Sequence, residues 1–231
     1  AAQEYQLWYD EPAQVWTEAL PLGNGRLGAM VFGNPGVEHI QLNEETIWAG
    51  RPNNNANPNA LEYIPKVRQL VFEGKYLEAQ TLATEKIMAK TNSGMPYQSF
   101  GDLHISFPGH TRYSDYYREL SLDSARIIVR YKVDGVTYQR ETLTSFADQV
   151  VMVRLTASQP GKITCNANLT TPHQDVMVST EGEEVTLSGV SSWHEGLKGK
   201  VEFQGRMTAR SQGGTQSCRD GVLSIEGADE A

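Results

Sequence analysis

The chain has 231 residues, 39% of them apolar and 21% charged, with a formal net charge of −8 at pH 7. That length buries a substantial core, in one large β domain or two small ones. The negative balance, with Lys and Arg scattered along the chain, excludes nucleic acid and anionic membrane surfaces as partners, and no apolar run approaches the roughly 18 residues that crossing a bilayer needs.

Taken in chain order, Ala1-Ala2-Gln3-Glu4 carries neither a Met nor a signal peptide, which fits a processed start or a chosen boundary. Tyr5 to Tyr9 is a short aromatic run, and Pro12 to Pro21 reads as loop. Gly23-Asn24-Gly25-Arg26-Leu27-Gly28 then spells G-x-G-x-x-G. A dinucleotide loop with that pattern follows a strand, opens a helix and has an acidic residue about 20 positions on. Glu44 and Glu45 fall near that distance, but the preceding residues are loop-like and Leu27 to Phe32 reads as a strand. The glycines therefore mark a tight turn into a packed strand. Val37 to Leu42 alternates as the next strand.

Asn43-Glu44-Glu45-Thr46-Ile47-Trp48-Ala49-Gly50-Arg51-Pro52 combines an amide, carboxylates, an indole and a guanidinium. Such groups can stack on sugar rings and bond hydroxyls; the plainer reading puts Trp48 in the core and the carboxylates in solvent. After the turn-rich Pro52 to Pro58, Asn59 to Lys90 reads helical, broken at Gly74, with Ile64, Val67, Leu70 and Val71 on one stripe. Pro65 is expected in or just before the first full turn. The segment reads as a helical hairpin, about residues 60–90, inserted between strands with its stripe covering part of the β domain.

In Gly101-Asp102-Leu103-His104 an acid and a base stand two apart, so on a strand they share a face. With no nucleophile or metal context beside them, a satisfied polar pair is the plainer reading. Asp134-Gly135, between Arg126–Val133 and Val136–Thr142, is a hairpin signal because both turn residues take positive φ. Val150 to Leu155, Gly161 to Leu169, Val176 to Thr180, Val185 to Val190, Val201 to Arg210 and Val222 to Ile225 continue the strand series. The fold class is mainly β, an antiparallel sandwich carrying the helical hairpin.

His173, His194 and Glu195 match no metal-ligand spacing, and Cys165 and Cys218 form no C-x-x-C or Cys/His cluster. No metal and no cofactor are expected. Two buried thiols or one disulfide remain open for the cysteines. No nucleophile elbow occurs, and no carboxylate pair stands out for glycoside hydrolysis.

A more specific signal lies in the run LWYDEPAQVWTEALPLGNGRLGAMVFGNPGVEHIQLNEETIWAGRPNNNANPNALEYIPKVRQLVFEGKYLEAQTLA, followed by SFGDLHISF, by YYRELSLDSARIIVRYKVDGVTYQRETLTSFADQVVMVRLTAS and by SIEGADEA. These motifs resemble the N-terminal region of glycoside hydrolase family 95, the α-L-fucosidase family, over essentially the whole chain. One departure is Ala147, where the pattern has Pro before Asp148.

The resemblance implies a large inverting hydrolase of α-L-fucosides, or in some relatives α-L-galactosides. Its N-terminal part is a β supersandwich with a helical insertion, followed by a linker, a catalytic (α/α)6 barrel and a smaller β domain. The general-acid Glu, the water-activating Asn and its supporting Asp lie in the barrel, so no catalytic residue is carried onto this chain. The abrupt polar ending after SIEGADEA fits an expected continuation into strand and linker. The implied partners are the protein's own barrel and its glycan substrate, in a periplasmic or secreted setting. Asn24, Arg26, Asn43, Glu44, Trp48 and Arg51 are the residues expected to face barrel or cleft, with Trp48 as the sugar-facing aromatic. An independent carbohydrate-binding module is the alternative.

Overall fold

A computed structural model describes residues 5–89 and 94–231, so Ala1 to Glu4 and Lys90, the end of the expected helical stretch, lie outside the described residues. The chain divides into two units, one of residues 1–47, 98–191 and 201–231, the other of residues 48–97 and 192–200.

The first unit is built of three antiparallel sheets. Five strands, β1 (Gln6–Tyr9), β6 (Ser114–Ser121), β7 (Arg126–Val133), β8 (Val136–Ser145) and β9 (Val150–Ala157), form one sheet in that order. A seven-stranded sheet runs β14 (Thr215–Arg219), β15 (Val222–Ala228), β10 (Ile163–Thr170), β5 (Gly101–Ser106), β4 (Val37–Glu44), β3 (Leu27–Val31) and β2 (Leu20–Gly23). The third sheet holds β11 (Val176–Glu181), β12 (Glu184–Val190) and β13 (Glu202–Thr208).

The sandwich follows from alternation. A strand turns successive side chains to opposite faces, and β7 buries Ile127, Val129, Tyr131 and Val133 while the residues between them stay partly or fully exposed. β8 buries Val136, Tyr138, Arg140 and Thr142 in the same way. The apolar and tyrosine side chains among these pack with Leu20, Val31, Ile40, Ile105, Ile163, Cys165 and Leu223 of the seven-stranded sheet into one hydrophobic cluster. A smaller cluster joins Ile47, Phe100, Leu169 and Leu187. Gly205 is required there, since a β-carbon would stand 2.2 Å from Phe100 Cζ. The expected hairpin at Asp134-Gly135 forms, with both φ positive, at +47° and +80°.

Both cysteines are free thiols, so of the two readings left open the disulfide falls, but only Cys165 is buried and Cys218 is partly exposed. Cys165 is buried between the sheets, and burial pushes its thiol up to about 11. Four strands, β2, β5, β6 and β14, are absent from the strand series read from sequence. The residues before the glycine turn are thus partly strand, β2 with Pro21 inside it. Proline is tolerated there because β2 is the outermost strand of its sheet.

The second unit contains α1 (Ala60–Phe72) and α2 (Tyr76–Lys86), joined through Gly74 at φ +76°. The helical hairpin is as expected, but Pro65 is the sixth residue of α1, beyond the first turn. Of the two helices only Ala79 is buried, while Leu61 and Phe72 are 80% and 82% exposed.

One ion pair crosses the sandwich. Glu38 of β4 and Arg140 of β8 lie 3.2 Å apart with 1% and 2% exposure. Breaking a buried pair strands a charge and costs about 3–5 kcal/mol, whereas an apolar replacement of both partners is near neutral. Urea unfolding should therefore show Glu38→Gln losing stability in that range, with the Glu38→Leu/Arg140→Met double variant recovering most of it.

Candidate functional site

The glycine turn joins β2 to β3, and Asn24 holds it. Asn24 Oδ1 accepts from Arg26 N at 3.1 Å and Leu27 N at 2.7 Å, while its Nδ2 donates to the Ser145 carbonyl at 2.7 Å. Every one of these bonds is internal to the first unit, so Asn24 ties the turn to the end of β8. Gly25 takes φ +93°, which explains glycine at the tip. No helix follows, and β3 begins at Leu27, so the loop is not a phosphate cradle.

Arg26 projects from this turn. Its Nε donates to Glu44 Oε1 at 3.0 Å, at the far end of β4. Glu44 Oε2 accepts from Thr46 N at 2.8 Å and Thr46 Oγ1 at 2.6 Å. Partial burial raises the Glu44 carboxyl more than any one other effect. The two Thr46 bonds, together with the bond and charge of Arg26, outweigh it and hold the pKa below the ordinary carboxylate range. Beside it in β4, Asn43 lies opposite Gly28, and its Oδ1 is buried without a hydrogen-bond donor among the described residues. A buried acceptor in that condition costs about 1–3 kcal/mol.

Trp48 and Arg51 belong to the second unit. Trp48 forms an isolated antiparallel bridge with Tyr97, and Ala49 N donates to the Pro96 carbonyl at 3.0 Å. Gly50 bonds on both sides, N to the Ser192 carbonyl at 2.9 Å and O from Lys200 N at 3.0 Å. The backbone under Trp48 is thus clamped between two other segments of its unit. The indole packs edge-on against Tyr97, with centroids 5.4 Å apart and planes at 70°. Both rings remain open, at 46% and 42% exposure, and Trp193 of the same unit is 61% exposed. Trp48 therefore does not fill the core. An anchored, partly exposed aromatic offers large contact area at low entropic cost.

The structure brings Asn24, Arg26, Asn43 and Glu44 to one edge of the first unit and places Trp48 and Arg51 in the second. Asp102 and His104 share a face of β5, as their spacing predicts, and are joined by His39 of β4. His39 Nε2 and Asp102 Oδ1 are 2.6 Å apart. The sequence reading missed His39, whose only signal is its outward position on an alternating strand. His173 instead bonds the Ser99 carbonyl at 2.9 Å in the first unit, while His194 and Glu195 belong to the second.

A family model described as "Glycosyl hydrolase family 65, N-terminal domain" matches residues 7–231. Alpha-L-fucosidase 2 of Arabidopsis thaliana is 40% identical over 164 residues, covering 68% of this chain and 19% of that protein. The Probable alpha-fucosidase A of Aspergillus niger is 31% identical over 196 residues, covering 79% of this chain and 24% of its own length. Its namesake in Aspergillus oryzae is 29% identical over 161 residues, or 66% of this chain and 22% of its own. The chain thus spans a quarter or less of the length of the curated relatives it matches.

The Glu44 network makes a pH prediction. A carboxyl with a depressed folded pKa adds stability above its unfolded value and loses it as pH falls through the folded one. Against Glu44→Gln, the wild-type chain should hold a Tm advantage at pH 6–7 that disappears on acidification below about 4. A pH-independent difference in thermal scans would show that Glu44 acts by packing alone.

Proposed function

The chain belongs to the family of glycosyl hydrolase family 65 N-terminal domains, and from that premise we propose that it is the non-catalytic N-terminal domain of an α-L-fucosidase of the family 95 type. The parent enzyme would hydrolyse α-L-fucosides or α-L-galactosides of glycans with inversion, in a periplasmic or secreted setting. The proton transfer and water attack would be carried by its barrel. The alpha-fucosidase names of the three relatives support the substrate class, and the resemblance of the ordered motifs supports the architecture.

This domain's part in the reaction is positional. The observation that carries this reading is Trp48, held by the clamped Gly50 backbone and Tyr97 yet nearly half exposed. Its ring presents a flat apolar surface of the kind that packs on the C–H face of a sugar. A sugar fixed against such a ring approaches the reacting groups with less orientational freedom to lose. Arg51, three residues on, supplies donors for hydroxyls at the same loop. The same aromatic pair also favours the second reading, a domain that binds carbohydrate independently.

Two measurements separate these readings. In the full-length enzyme, Trp48→Ala should lower kcat/KM about two- to tenfold, the equivalent of roughly 0.5–1.5 kcal/mol of aromatic contact, with Tm unchanged. An unchanged kcat/KM in a folded variant would remove Trp48 from the cleft. The 231-residue chain alone should not turn over an aryl α-L-fucoside. Calorimetric titration of that chain with L-fucose or fucosylated oligosaccharide should show no saturable binding; saturable binding would favour the independent module.

A further inference from the structure

We propose that His39, Asp102 and His104 form a binding site for a divalent transition-metal ion of the zinc class, with at least one coordination position open to solvent. The sheet itself assembles the three donors. His39 of β4 lies directly opposite His104 of β5 in the antiparallel register. Asp102 precedes His104 by two positions and so shares its face. One ligand atom from each residue can be chosen so that all three lie within 4.8 Å of one another. Donors about 2.1 Å from a common tetrahedral ion lie about 3.4 Å apart. Side-chain rotation shared among the three residues closes that gap.

The donors sit on a rigid base. β4 is paired on both sides, by β3 and β5, and β5 by β4 and β10, so neither backbone is free to move away. The His39 ring is stacked between two others, with Phe32 at 4.4 Å and 21° and His104 at 4.9 Å and 18°. The 2.6 Å contact of His39 Nε2 with Asp102 Oδ1 is a hydrogen bond that already brings two potential ligands together; a cation would displace its proton and part them to about 3.4 Å.

The donor chemistry selects the ion. Two imidazoles and one carboxylate suit zinc, nickel, copper or ferrous iron, whereas calcium and magnesium need mostly oxygen ligands. The side chains of His39 and Asp102 are 32% and 23% exposed, so water or a ligand hydroxyl can complete the shell, as in zinc sites with three protein ligands. This site stands on β4 and β5 alone and does not depend on the role given to Trp48.

The test uses the 231-residue chain after treatment with EDTA and desalting. Calorimetric titration with zinc chloride should show one saturable equivalent, and calcium chloride none. His104→Ala and His39→Ala should each weaken zinc binding by more than the roughly 10- to 100-fold lost when a residue behind a metal ligand is removed. Asp102→Asn should weaken it in the same direction. Should either alanine variant fail to fold by circular dichroism, His104→Asn serves in its place. In the wild-type chain, the ring NMR signals of His39 and His104 should shift together on adding zinc, ahead of those of His110, His173 and His194. Absence of a saturable equivalent, wild-type affinity in the folded variants, or shifts confined to the other histidines would overturn the site.

Discussion

The sandwich is organised around one buried ion pair. Glu38 comes from the seven-stranded sheet and Arg140 from the five-stranded one, and neither has access to water. Burial raises the Glu38 carboxyl, opposed by Arg140 and by the Gly33 and His39 amides that donate to it. Arg140 Nη2 also donates to the Asn34 carbonyl, and its guanidinium lies over the rings of Phe107 and Tyr131. Those aromatic faces account for the lack of acceptors at Nε and Nη1 among the described residues. A charge this deep is tolerated only with its partners in place, so the pair fixes which strand faces which.

The turn between β3 and β4 is where that constraint is felt. Its residues receive Arg140 through Asn34 and Tyr116 through the Gly33 carbonyl. From β6, Arg118 reaches the Glu11 and Glu18 carbonyls and covers the Tyr9 ring. These bonds leave β4 in one register. Because the side-chain period of a strand is two, register decides every outward residue as well. With Glu38 and Ile40 facing the core, His39 and Gln41 must face out, where Gln41 accepts from the Trp16 indole at 2.8 Å. The outward polar row, including the histidine pair, is thus a consequence of the inward charge.

Much of the fold was legible because alternation and turn chemistry are local. β7 and β8 alternate cleanly around Asp134-Gly135, and the paired helical stretches are separated by Gly74. Two of the missed strands, β2 and β14, lack that local signal. β2 contains a proline that only an outermost strand admits, and β14, Thr-Gln-Ser-Cys-Arg, has no apolar face to show because it too is an edge. The glycine pattern is separated from a nucleotide loop by the strand that follows it, since the residues before it are strand too, not loop as the sequence suggests. The work of Asn24 was not legible, since Ser145 lies 121 positions away.

By itself, the sequence determined the antiparallel β class, the helical hairpin and the kinship with glycoside hydrolase N-terminal domains, since each rests on patterns carried by neighbouring residues or by ordered motifs. Only the tertiary structure decided what those residues touch. It left Cys165 and Cys218 as separate thiols, anchored Trp48 on Tyr97 while leaving it nearly half exposed, and set His39 beside an Asp102 that lies 63 positions away. The physical reason is register. Strand pairing across long separations is fixed by what the sandwich must bury, above all Glu38 against Arg140, and no local pattern encodes which distant residue then stands opposite.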